Sequence, residues 1–122
     1  MKIKREFVNK IIGMYRTRSM SMDYPDEKDW DIESIEEINK EIKENANEIV
    51  KMLKDDNFLI ILRQLIEEDN GRFQVAFAEP YDEDIINIII FDLYTKKVIS
   101  KKEINELKYY YSDKNISIAI ET

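Results

Sequence analysis

Residues 85–91 read Ile85-Ile86-Asn87-Ile88-Ile89-Ile90-Phe91, a nearly unbroken apolar run interrupted by a single amide. A run of that kind is expected of a central β-strand covered on both faces. The acidic triplet Asp82, Glu83, Asp84 before it reads as a solvated hairpin loop, and Tyr94 to Lys97 after it as a turn into a short strand at Val98 and Ile99. Upstream, beyond Asn70-Gly71, Phe73, Val75 and Phe77 alternate with Gln74, Ala76 and Ala78, the period of a half-buried strand that ends before Pro80. Downstream, Ser100 and Glu103 have the spacing of a capping box, opening a helix with Ile104, Leu107 and Tyr111 on one face. Tyr109, Tyr110 and Tyr111 cannot all face inward from that helix, so at least one is expected in solvent. Ile116, Ile118 and Ile120 close the chain as an alternating strand.

The N-terminal half is helical by period. Ile3, Phe7, Ile11, Met14 and Tyr15 fall within an arc of about 120°, so residues 2–20 read as an amphipathic helix with Lys2, Arg5 and Arg16 on the far side. Gly13 lies on that polar side, at roughly 1 kcal/mol against alanine. A loop over 23–31 follows, opened by Tyr24-Pro25 and closed by Asp31 as N-cap. Ile35, Ile38, Ile42, Ala46, Ile49 and Leu53 then recur at helical spacing over nearly three heptads, with Glu36 and Lys40 set as an i,i+4 pair. Asp55-Asp56-Asn57 is positioned to cap the next helix, 58–69, whose Phe58, Leu59, Ile61, Leu62, Leu65 and Ile66 demand burial on several sides.

Together these segments predict one α+β domain over residues 1–122: a helical part, 1–55, containing the acidic loop 23–31, and a helix-plus-sheet part, 56–122. Three N-terminal helices would pack on one face of a small, mainly antiparallel sheet of about four strands, with one further helix before the last strand.

The chain has 122 residues with no Cys and no His, which removes disulfides, thiolate and imidazole catalysis and the usual zinc sites. Two glycines cannot supply a phosphate-binding or nucleophile-elbow motif. No stretch approaches the roughly 18 apolar residues that cross a bilayer, and Met1 to Met22 lacks the pattern of a secretory signal. A cytoplasmic, bacterial or phage setting is expected from this and from the Ile, Lys, Asn and Glu bias, with no membrane partner and no cofactor. Carboxylate-bound Mg²⁺ or Mn²⁺ is the enzymatic alternative, its best cluster being Asp82, Glu83 and Asp84. Asp92, about 25 Å away along a strand, would be unable to join it.

Charge carries the functional reading. Residues 1–22 hold a charge of +5 and the rest −12, of which −7 falls in residues 23–37 alone. The basic helix could meet a few phosphates, be neutralised by the acidic second helix or loop, or dock on a protein. The acidic block could imitate a nucleic-acid backbone toward a basic cleft. The expectation is therefore a small acidic non-enzymatic protein that binds and inhibits a nucleic-acid-handling effector, most simply a nuclease, by occupying its basic surface. Asp26, Glu27, Asp29, Asp31, Glu33, Glu36 and Glu37 would supply the field, and Tyr24 and Trp30 the desolvated anchors. Immunity proteins of nuclease toxins and phage inhibitors of host defence share this size and charge; the likeness is one of analogy. Direct nucleic-acid binding is disfavoured by the acidic balance. A homo-oligomer pairing through the isoleucine seam is a further alternative.

Overall fold

Apolar residues at spacings of one, three and four make a helix, and residues 82–95 contain such a set within the apolar run: Ile85, Ile86, Ile89, Ile90 and Leu93 are all fully buried. The computed structural model describes residues 3–23, 32–69 and 82–120, with the side chains at 18–23 and 32–34 excepted. Among these residues lie six helices: α1 (Arg5–Asp23), α2 (Ile32–Glu44), α3 (Ala46–Leu53), α4 (Asp56–Glu68), α5 (Asp82–Thr95) and α6 (Lys101–Ser112). There is no strand among them, so the α+β expectation is overturned in favour of an all-helical arrangement. α1 packs on α2 and α4, α4 on α5, and α5 on α6. No helix among the described residues is long and apolar enough to cross a membrane.

The run 85–91 is thus helix α5 and not a strand. Asn87 and Ile88 are half-buried and Phe91 is 56% exposed, the outward face of a helix embedded on its other sides. Two local features favour this outcome. Asp82, Glu83 and Asp84 sit in the first turn, where carboxylates meet the positive end of the helix dipole. The periodic stretch is also longer than the four to eight residues typical of a strand.

The supposed hairpin at 94–97 is the C-terminal cap of α5. Val98 N–H donates to Leu93 O at 2.9 Å and Lys97 N–H to Tyr94 O at 3.0 Å, the paired bonds of a Schellman motif, with Lys97 at φ 61° in the glycine-favoured position. Val98 and Ile99 form no strand. Residues 116–120 alternate in burial as expected, with Ile116 and Ile118 inside and Ser117 and Ala119 outside, yet among the described residues no strand pairs with them. The expected strand at 73–78 lies outside the described residues.

The other helices follow their sequence signals. Ser100 Oγ accepts from Glu103 N–H while the Glu103 carboxylate accepts from Ser100 N–H, a complete capping box, and Ile104, Leu107 and Tyr111 are buried. Tyr109, at 84% exposure, is the tyrosine left in solvent. Asp55 caps α4 by accepting from Asn57 N–H at 2.8 Å. The isoleucine seam is divided at Asn45, whose Nδ2 donates to Glu41 O at 2.8 Å and interrupts the helix between α2 and α3. Ile42, Ile49 and Leu53 of that seam are fully buried in the chain's own core.

Two backbone positions yield a direct test. A Cβ built on Gly13 meets nothing within 4 Å, and Lys97 holds a left-handed conformation that costs an L-residue energy. Gly13→Ala and Lys97→Gly are each expected to raise unfolding free energy by about 0.5–1 kcal/mol, read as a higher urea midpoint at unchanged slope.

Candidate functional site

Packing α1 against α4 sets the cations of the first helix beside the acidic end of the fourth. The Arg5 guanidinium pairs with Glu68, and Arg16 Nη1 lies 3.0 Å from Asp69 Oδ1. Arg16 is 21% and Asp69 only 6% exposed, so this second pair is substantially desolvated. Ile3 N–H donates to Asp55 Oδ2 at 3.0 Å, anchoring the start of α1 at the cap of α4. The basic face is therefore met by α4, a pairing that the sequence reading did not anticipate.

Of the acidic surface, Glu36 and Glu37 stand exposed on α2 and make no ion pair among the described residues. Glu36 does not reach Lys40, so the expected i,i+4 pair is absent. Ile38 is half-buried and Ile42 fully buried on the inner side of the same helix, which turns these two carboxylates outward. Glu33 belongs to α2, but its side chain lies outside the described set. Tyr24, Asp26, Glu27, Asp29, Trp30 and Asp31 also lie outside the described residues.

The carboxylates considered for a metal are committed elsewhere. Arg63 Nε donates to Asp82 Oδ2 at 2.6 Å, and the Glu83 carboxylate accepts from Ser117 N–H at 2.6 Å. Because α5 is a helix, Asp84 and Asp92 are separated by about 12 Å along its axis, not by the length of a strand. Among the described residues no group of three or more carboxylates converges on a metal position.

A polar centre in the core escaped the sequence reading. Asp92, 6% exposed, accepts from the fully buried Tyr15 hydroxyl at 2.7 Å and pairs with Lys96 in the turn that caps α5. The signal was a carboxylate directly after the apolar run 85–91 and four residues before a lysine. Near the other end of the core, Tyr111 O–H donates to Leu53 O at 2.5 Å. Burial, followed by the nearby Tyr110, pushes the Tyr111 phenol well above its ordinary range. Tyr110 is raised as well, by burial and then by its hydrogen bond to Asp56.

Comparison with protein-family models, curated proteins and solved structures finds no match.

Removing Asp92 strands a half-buried ammonium and a buried hydroxyl, so Asp92→Ala is expected to cost about 3 kcal/mol, measured by chemical denaturation. The raised Tyr111 pKa predicts alkaline destabilisation. The folded state keeps its proton while the unfolded chain loses it above roughly pH 10, so the stabilisation is complete below that pH and declines above it. The stability difference between the wild type and Tyr111→Phe should be constant near neutrality and shrink beyond about pH 10.

Proposed function

We propose that this chain is a non-enzymatic binding protein that occupies a basic surface on a nucleic-acid-handling partner, in the manner of a nuclease inhibitor. The supporting observation is the division of charge. Arg5 and Arg16 are engaged by Glu68 and Asp69, while Glu36 and Glu37 point to solvent without a cation among the described residues. In the sequence these two residues continue the acidic block that starts at Asp23, so α2 carries part of a negative field on a rigid helix.

Carboxylates three and four apart on such a helix stand roughly 5–6 Å from one another, a dense line of negative charge of the same sign as a nucleic-acid backbone. A basic cleft would be drawn in by long-range attraction that salt screens, with the gain realised mainly in the association rate. No bond making or breaking is required of the protein. Its action is to deny the cleft to a phosphate backbone.

The test is capture of the partner from the native host, followed by kinetics with the purified pair. Glu33→Lys, Glu36→Lys and Glu37→Lys combined should slow association more than tenfold at low ionic strength, with the difference shrinking as salt rises. An unchanged rate would remove the acidic face from the account.

A further inference from the structure

We infer that the groove beside Tyr109 is a docking site for a basic protein, which lays the guanidinium of an arginine on the Tyr109 ring between the carboxylates of Glu106 and Asp113. Tyr109 stands on the outer side of α6 and is 84% exposed. It forms one wall of an open groove of about 430 Å³, lined also by Tyr110, Glu106, Asp113, Lys54 and Lys114. Glu106 precedes Tyr109 by one turn and Asp113 follows it by one, so a flat cation on the ring has a carboxylate to either side.

The groove already holds one cation in this manner. Lys114 Nζ sits 4.0 Å from the centre of the Tyr110 ring and 3.4 Å from Asp113 Oδ1. Tyr110 is fixed to receive it, edge-on to the buried Tyr111 at 5.0 Å and with its hydroxyl donating to Asp56 Oδ1 at 2.8 Å. Tyr109 offers a second ring of the same chemistry with its surface open. The sign of the field is legible in Tyr110: burial does most to raise its phenol, the Asp56 hydrogen bond comes next, and the charges of Asp56, Asp55 and Asp113 add to both. Lys54 and Lys114 do not seal the groove. Lys54 meets Glu106 only at 3.5 Å, and Asp113 is 81% exposed beside Lys114, contacts between solvated groups that contribute little.

Among cations, arginine matches both parts of the site. Its guanidinium is planar, stacks on aromatic faces, forks onto a carboxylate and is more weakly hydrated than an ammonium. A phosphate backbone would be repelled by the same carboxylates. The surface lies where α6 meets the α3–α4 junction, apart from the acidic face of α2, and stands without it.

The experiment titrates the full chain with a blocked Arg-Gly-Arg peptide and follows the NMR resonances of residues 106–114, including the tyrosine rings. The shifts should saturate, and the arginine peptide should bind severalfold more tightly than its lysine counterpart, while a glutamate peptide and a single-stranded oligothymidylate leave these signals in place. Tyr109→Ala should abolish saturation at an unchanged urea midpoint, Tyr109→Phe should preserve it, and Glu106→Gln with Asp113→Asn should weaken the peptide severalfold. Glu36→Lys with Glu37→Lys should leave the titration intact, so this inference and the reading of α2 fail separately. Shifts that stay linear in peptide, or that survive Tyr109→Ala, would overturn it. Equal affinity for lysine would do the same, because simple attraction of charge would then suffice, and so would saturation by the oligonucleotide.

Discussion

The hydrogen bond from Tyr15 to Asp92 joins residues 77 apart in sequence and fixes how α1 lies against α5, whose Ile85, Ile86, Ile89, Ile90 and Leu93 are fully buried. Isoleucine surfaces are nearly interchangeable under small slides, since each position offers similar area to its neighbours. A carboxylate in that surroundings is different, because it is tolerated only where hydroxyl and ammonium partners meet it. Asp92 finds both, in Tyr15 across the interface and Lys96 in the turn that ends its own helix. The register of α1 on α5 is thereby specified by polar groups, although apolar burial supplies the driving force. The Tyr111 bond to Leu53 O acts similarly between α6 and the end of α3.

Fixing α1 also decides the electrostatics. Its inner side is consumed by Val8, Ile11, Ile12 and Tyr15, and the placement brings Arg5 and Arg16 to the acidic end of α4. The carboxylates thus fall into two groups. Glu68, Asp69, Asp82 and Asp92 are used within the fold, whereas Glu36 and Glu37 remain on the surface. Net charge alone cannot make that distinction, and it is the basis for the proposed binding face.

Several elements were legible because their signals are local. The Ser100 and Glu103 capping box, the Asp55 cap and the face formed by Ile104, Leu107 and Tyr111 depend on residues within one or two turns. The long seam from Ile35 to Leu53 was readable as helix, but its break was not: it falls at Asn45, which leaves helical geometry at φ −100°, ψ 11° while its side chain joins its own N–H on Glu41 O. Part of the candidate site was also readable, in the outward setting of Glu36 and Glu37 opposite Ile38 and Ile42.

By itself, then, the sequence determined helix boundaries wherever caps and polar faces mark them, the acidic bias, and the absence of imidazole and thiol chemistry. Only the tertiary structure decided the state of 82–95, because the short apolar run at its centre, 85–91, suits a buried strand and a buried helix segment alike. Its neighbours supplied what the pattern lacked: α4 and α6 cover it as a helix, and Asn87 and Glu83 take up the backbone of 117–119 as a sheet would have done. Which carboxylates are spent on arginines was decided at the same level, because ion pairs such as Arg16 with Asp69 join residues 53 apart and depend on how helices cross.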